Sequence, residues 1–256
     1  MTQALAGQHA LVTGGGRGIG ASIAAALAGA GARVTLLGRT TAELEATAAT
    51  LPGGALAVTA DVTDAGQVER AFAKARAAAG EIGILVNNAG LAKSRPLART
   101  DEAFWRSILE VNLTGAYHCT RAALPAMLAA NRGRIVSISS TAGLRGYAYC
   151  TAYCAAKHGL VGFTRALALE VAKTGITVNA VCPGYTDTGI VRDAILAISE
   201  KTARSESEAR ESLVSFNPQQ RLVQPAEVAN AVLWLCSPGS ESVTGQSIAI
   251  AGGEVT

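Results

Sequence analysis

Charge is scarce in this sequence. Asp, Glu, Lys and Arg together make up 16% of its 256 residues, and they balance to only +3. With no Lys/Arg-rich run and no basic stretch interleaved with aromatics, the chain lacks the electrostatic footprint of a nucleic-acid-binding protein. Long apolar runs are missing too. No stretch reaches the roughly 18 consecutive apolar residues of a membrane helix. The start, MTQALAGQHALVTGGG, has no charged segment ahead of an apolar one, as a secretory signal would. Cysteine is sparse and unpatterned. Cys119, Cys150, Cys154, Cys182 and Cys236 are odd in number and form no CxxC pair, which points to free thiols in a reducing cytoplasm. Cys150 and Cys154 sit four apart and are read as making no metal site. Acidic residues are absent altogether before Glu43.

What is abundant is buried-type residue: 49% of the chain is hydrophobic, the composition of a globular protein with ample core. Short β-branched runs alternate with alanine-rich helical stretches. Strands are expected at 9–13, 33–37, 55–60, 82–88, 133–139, 176–183 and within 245–253. Helices are expected at 18–31, 43–50, 65–79, 101–130 and 151–173. Apolar strands without alternation, separated by helices, imply a parallel sheet covered on both faces, a doubly wound α/β fold. Residues 186–224 break the rhythm. They are charged and helix-prone, without a second apolar core, and are expected to form a flap inserted on one domain.

The first strand runs into LVTGGGRGIG, which places Gly14, Gly18 and Gly20 where a strand hands over to a helix. Glycines there permit a tight turn and let the backbone approach a pyrophosphate at the helix N-terminus, where free N–H groups favour anions. An NAD-type site wants a carboxylate at the end of the second strand. Here that strand ends LLGRTT, with Gly38 at the expected position and Arg39 next, while Arg17 lies in the glycine loop itself. Two guanidiniums without a carboxylate suit a 2′-phosphate, so NADP(H) is favoured over NAD(H).

The stretch GYAYCTAYCAAK carries Tyr147, Tyr149 and Tyr153 ahead of Lys157. Only Tyr153 lies four residues from the lysine on a predicted helix, and so shares its face. Lowering a phenol from about 10 into the neutral range takes two to three pKa units, roughly 3–4 kcal/mol, and a nearby Lys⁺ has the right sign. Tyr153 would then donate a proton in reduction and accept one in oxidation.

These fragments resemble the short-chain dehydrogenase/reductase family: TGGGRGIG its TGxxxGxG loop and YCAAK its YxxxK motif. The resemblance covers nearly the whole chain. It implies a single Rossmann-fold domain over residues 1–256 with a seven-stranded parallel sheet and a helical substrate flap at about 186–217. It also implies a catalytic set of Asn112, Ser140, Tyr153 and Lys157. Ser140 would orient substrate, with Ser139 pointing the other way by strand alternation. Asn112, unfavourable inside a helix, would anchor a water for proton relay. Cofactor contacts are implied for Gly14, Arg17, Gly18, Ile19, Gly20, Arg39, Asp61, Val62, Asn88, Ala89, Gly90, Tyr153, Lys157, Pro183, Gly184, Thr186 and Thr188, with Asn87 in the same NNAG signature. Tyr147 and Tyr149 are left to the pocket wall or a subunit contact. Assembly as a homotetramer through the helices around 101–130 and 152–173 and the last strand is implied as well.

The segment around YCAAK resembles ketoreductases of aromatic polyketide synthesis and 3-oxoacyl-thioester reductases, though after NNAG the chain reads LAKSRP and lacks the former's Pro-Gly-Gly-like loop. Ala92, Ala142 and Cys150 stand where related 3-hydroxybutyrate dehydrogenases place carboxylate-clamping polar residues, which disfavours a small free acid. Lys93, Arg95 and Arg145 are expected either at the pocket mouth, meeting the phosphates of a thioester carrier, or as ordinary surface charges. Three functions stay open: an NADP(H)-dependent reductase of a 3-oxoacyl thioester or related ketone, an NAD(H)-dependent dehydrogenase of a cyclic or aryl alcohol, and a non-catalytic dinucleotide sensor.

Overall fold

The computed structural model describes residues 3–202 and 204–255. Its seven strands are β1 (His9–Thr13), β2 (Arg33–Gly38), β3 (Ala55–Thr59), β4 (Ile84–Asn87), β5 (Gly133–Ile138), β6 (Ile176–Pro183) and β7 (Ser247–Ile250). They pair in parallel in the order β3-β2-β1-β4-β5-β6-β7. The order reverses direction between β1 and β4, which opens a crevice at the C-terminal strand ends, the place where such sheets bind ligands.

Each strand is apolar on both sides because each side meets a helical layer. In β1, Ala10 and Val12 join one core with Ile23 and Leu27 of α1 (Gly18–Gly29), Leu44 of α2 (Thr41–Thr50) and Val228 and Val232 of α9 (Pro225–Cys236). Leu11 joins the opposite core with Phe72 of α3 (Ala65–Ala79), Met127 of α5 (Gly115–Ala129) and Leu167 of α6 (Thr151–Glu170). The period-2 geometry of a strand thus sends neighbouring residues into different layers. The seven strands and the two-faced covering match the expectation from sequence.

Three features depart from it. The helix expected over 101–130 is interrupted: α4 (Glu102–Leu109) passes through a π turn at Glu110–Thr114 before α5 begins. Helix α9 was not anticipated; its start is set by Pro225 in the first turn and a capping box between Gln224 and Glu227. The region past 186 holds two helices, α7 (Gly189–Thr202) and α8 (Glu206–Val214), with a small apolar cluster of their own around Val191, Ile195, Leu213 and Leu222. Charged residues between these positions hid that cluster in the sequence.

Beside its backbone pairing with β6, the edge strand β7 is held at its start by a buried asparagine. Asn179 of β6 donates to the Val243 carbonyl at 2.7 Å and accepts from the Gln246 N–H at 3.0 Å, and it is fully buried. Replacing Asn179 with Ala leaves both backbone groups unpartnered. The expected cost is about 1–3 kcal/mol of unfolding free energy, read by denaturant titration; no loss would mean β7 docks without this clamp.

Candidate active site

A cleft of about 400 Å³ lies over the C-terminal ends of the sheet. At its outer end the glycine loop is packed too tightly for side chains. A Cβ placed on Gly20 would collide with the Gly14 carbonyl oxygen and meet Asn88 Nδ2 at 2.5 Å. Gly14 and Gly18 also have φ of 63° and 55°, which favour glycine. Thr13 welds this loop to the end of β4: its hydroxyl accepts from the N–H groups of Asn88 and Ala89, both at 2.9 Å. Asn88 answers by donating Nδ2 to the carbonyls of Thr13 and Gly14 at 2.9 and 3.1 Å. Helix α1 begins there without a side-chain cap and without an acidic residue in its first turn. Its N–H groups and positive dipole end are therefore free to meet an anion in the cleft.

Around this end stand Arg17, Arg39, Asp61 and Val62. Asp61 is held by Thr63, whose N–H and hydroxyl both donate to Oδ1 at 2.9 Å. On the far lip, Pro183, Gly184, Thr186 and Thr188 follow β6. Thr186 donates to the Gly184 carbonyl at 3.0 Å and Thr188 to the Thr186 carbonyl at 3.2 Å, which folds the segment into a compact turn over the cleft.

The inner end gathers Asn112, Ser140, Tyr153 and Lys157. The Lys157 ammonium donates to the Ile138 carbonyl at 2.8 Å and lies 5.7 Å from the Tyr153 ring centre. Ser140 is within hydrogen-bonding reach of Tyr153, and its Oγ accepts from the Ala142 N–H at 3.1 Å. Ser139 points the other way and donates to the Lys157 carbonyl, as strand alternation requires. Asn112 sits in the π turn, fully buried. Its Nδ2 donates to the carbonyls of Leu91 and Ile108, both at 2.9 Å, and its Oδ1 accepts from the Leu91 N–H at 3.2 Å. The amide expected to hold a water is thus largely committed to backbone, with one lone pair of Oδ1 to spare.

Burial dominates the electrostatics here. Desolvation pulls Lys157 down from its ordinary value to about 8 and pushes Tyr153 up to about 12, with Ser140 opposing that rise. The phenol-lowering expected from the lysine alone is therefore not what the protein's own groups produce. Taking the phenol out of water is the largest effect on it, and Ser140 is the group that opposes it.

A family model described as short chain dehydrogenase matches residues 8–197. The chain belongs to the short-chain dehydrogenase family. Membership makes it an oxidoreductase that interconverts an alcohol and a carbonyl group. It is 39% identical over 249 residues to the 3-oxoacyl-acyl-carrier-protein reductase FabG of Escherichia coli K12, covering 96% of this chain and 97% of the relative. It is 38% identical over 245 residues to the D-beta-hydroxybutyrate dehydrogenase of Cupriavidus necator, covering 94% and 95%. Among solved structures, a tryptophan variant of the actinorhodin polyketide ketoreductase, determined with NADPH, superposes with a TM-score of 0.94 at 39% identity, covering 99% of both chains. Levodione reductase gives 0.92 at 31%, covering 98% of both.

Within this short-chain dehydrogenase all the residues assigned to catalysis and cofactor from the sequence line one cleft, Gly18, Ile19, Ala89 and Gly90 included. Asn87, from the same NNAG signature, does not: it is buried behind the cleft and donates to Thr120 Oγ1 at 2.9 Å. Of the other tyrosines, Tyr147 lines the cleft, and its hydroxyl bonds Thr141 and Glu254. Tyr149 turns outward with φ 64° and is 66% exposed. Arg95 is occupied elsewhere, bonded to Asp101 at 3.0 Å and stacked 4.1 Å over Phe104. Arg145 lies 5.1 Å over the Tyr147 ring, and Lys93 is exposed. None of these three cations lines the cleft. Ala92, Ala142 and Cys150 do, giving the inner wall a small, uncharged surface.

Sequence reasoning missed Glu43, Tyr185 and Glu254. Glu43 was visible as the first acidic residue of the chain, but nothing local placed it against the glycine loop.

The lowered Lys157 predicts a pH signature. Between about 8 and 10.5 the unfolded chain holds the proton that the folded site has released, so the Lys157 contribution to stability rises with pH across that window. Raised Tyr153 acts oppositely from 10 to about 12, where the folded state keeps its proton longer. In thermal unfolding scanned from about pH 7.5 to 10, the stability of wild type relative to Lys157→Met should rise with pH, the buried thiols of Cys119, Cys150, Cys182 and Cys236 acting alike in both proteins. Parallel curves would refute a neutralising burial of Lys157.

Proposed function

We propose that this protein is an NADP(H)-dependent reductase interconverting a 3-oxoacyl thioester, or a closely related ketone, with the secondary alcohol. The observation that carries the reading is the single cleft that joins an uncapped helix end flanked by Arg17 and Arg39 to the partly buried Ser140 and Tyr153 and the buried Lys157. The glycine loop has no room for a side chain at Gly14 or Gly20, and the uncapped N–H groups of α1 face the cleft beside it, so the residues present fit a dinucleotide. When bound, NADP(H) supplies or accepts the hydride at its nicotinamide ring, and the positive charge of the oxidised ring adds to the field acting on the phenol.

The chain's own residues do the rest. Ser140 and Tyr153 hydrogen-bond the carbonyl oxygen and hold the substrate facing the reactive ring. The Tyr153 hydroxyl gives its proton to the developing alkoxide in reduction and takes it back in oxidation. Lys157, fixed on the Ile138 carbonyl, keeps an ammonium beneath that phenol. Asn112 pins the loop at Leu91 and with it the floor of the site. The uncharged lining of Ala92, Ala142 and Cys150 accepts a neutral chain better than a free carboxylate, which would be buried without a partner. The helices α7 and α8 serve as the flap of a single domain. Self-association through α4, α5 and α6, as a tetramer, follows the family pattern. The five cysteines, all unpaired, fit a reducing cytoplasm. Among the described residues no helix is long and apolar enough to cross a membrane.

One observation favours a ring-shaped ketone as a second reading. Tyr147, Tyr185 and Phe216 pack edge to face and tilted, with centres 5.7 to 6.5 Å apart. Two of them, Tyr147 and Tyr185, line the cleft, and aromatic walls suit planar substrates.

The test follows nicotinamide absorbance with acetoacetyl-CoA and, in parallel, a cyclic diketone, using NADPH and NADH. Turnover of the thioester with NADPH supports the first reading, and turnover of the ring ketone alone supports the second. Tyr153→Phe should lower kcat by about 10²–10⁴-fold while leaving nucleotide binding intact. Full activity in that variant would remove Tyr153 from the chemistry.

A further inference from the structure

We propose that Glu43 sets cofactor selectivity. Its carboxylate, delivered from the first turn of α2, accepts a hydrogen bond from the 2′-hydroxyl of an NAD(H) ribose and opposes the 2′-phosphate of NADP(H), which narrows the preference for NADP(H). This rests on the dinucleotide reading above and deepens it.

The end of β2 offers no carboxylate, since Gly38 and Arg39 follow Leu37. On sequence alone the ribose end of the cleft carries two cations and no anion. The fold changes that sum. The hydroxyl of Thr47, one turn further along α2, donates to the Gly16 carbonyl at 2.8 Å. A Cβ on Gly16 would lie 3.0 Å from Glu43 Cβ, so the first turn of α2 is pressed against the glycine loop. Glu43 Oε1 then lies 3.8 Å from Arg17 Nη1, and both residues line the cleft. Arg39 has its own carboxylate, Asp61 Oδ2, at 4.0 Å. Each guanidinium is therefore already matched by an acid, and the net charge at this end is close to zero.

Neither pair is needed for folding. The side chains of Arg17 and Glu43 are 67% and 43% exposed, and ion pairs this open contribute little to stability. Their consequence is for the ligand. A phosphate recruited by Arg17 has to share that guanidinium with the Glu43 carboxylate, two anions within a few ångströms of each other. A ribose hydroxyl is a donor, for which the same carboxylate is an acceptor. Asp61 differs from Glu43 in that one of its oxygens is already spent on the Thr63 N–H and hydroxyl, whereas Glu43 makes no hydrogen bond among the described residues, only the ion pair with Arg17.

The test is calorimetric binding of NADPH and of NADH, without substrate, to wild type, Glu43→Gln and Glu45→Gln. Glu45 is an exposed acid on the same helix that does not line the cleft, so it controls for the loss of one negative charge. For Glu43→Gln, NADPH should tighten by about 3–10-fold and NADH weaken by about 2–5-fold. Glu45→Gln should change neither. An unchanged ratio of the two affinities in Glu43→Gln, an equal shift for both nucleotides, or the same change in Glu45→Gln overturns the proposal. The wild-type ratio reports on the cofactor reading separately: strong wild-type preference for NADH would remove the NADP(H) assignment, while the change on substitution would still report on Glu43.

Discussion

Between the carbonyl of Gly14 and the α-carbon of Gly20 there is no space for even a methyl group, and the rest of the site depends on that closeness. It lets the first turn of α1 stand directly over the end of β1. There Asn88 bonds the carbonyls of Thr13 and Gly14, while the Thr13 hydroxyl bonds the start of the segment after β4. A strand, a helix start and the neighbouring strand's end are joined through one threonine, one asparagine and two glycines. The crevice at the reversal of strand order is thereby fixed in width before any ligand arrives.

The two ends of the cleft obey opposite electrostatic rules. At the outer end the charges are exposed, loosely paired and cheap to rearrange, which suits a region that must exchange its neighbours for a nucleotide. At the inner end Lys157 is buried and Tyr153 partly so, and desolvation moves both toward their neutral forms. A fold selected for stability alone would not place an ammonium there. The Ile138 carbonyl, which accepts from the ammonium at 2.8 Å, offsets part of the cost. Local sacrifices of this kind are expected where structure serves chemistry.

Much of the fold was legible in the sequence. The strands and helices through β6 were read from apolar runs and glycine turns within a few residues, because the sheet is covered on both faces and its strands carry charge only near their starts, at Arg33 and Arg134. The interruption at Glu110–Thr114 was not legible, since apolar periodicity continues through a π turn with only a small change of phase. Asn112 was recognised as out of place in a helix, but its partners, Leu91 and Ile108, emerged only from the fold. Asn87 and Asn88, adjacent in sequence, face opposite sides of a strand end, so one lines the cleft and its neighbour does not. Helix α9 went unread because its pattern is nearly all apolar, which periodicity cannot tell from a strand.

The sequence by itself determined which groups are on offer: which tyrosine shares a helical face with a lysine, and where the turn from strand to helix leaves bare backbone. Those depend on spacings of a few residues, which local geometry fixes. Tertiary structure alone decided how that chemistry is tuned. Whether Lys157 stays charged, whether Arg17 meets a phosphate unopposed, and which tyrosine lines the wall depend on burial and on contacts between residues 26 to 107 positions apart, as between Arg17 and Glu43 or Tyr147 and Glu254. Desolvation and Coulomb energy follow distance in space, and distance along the chain does not report it.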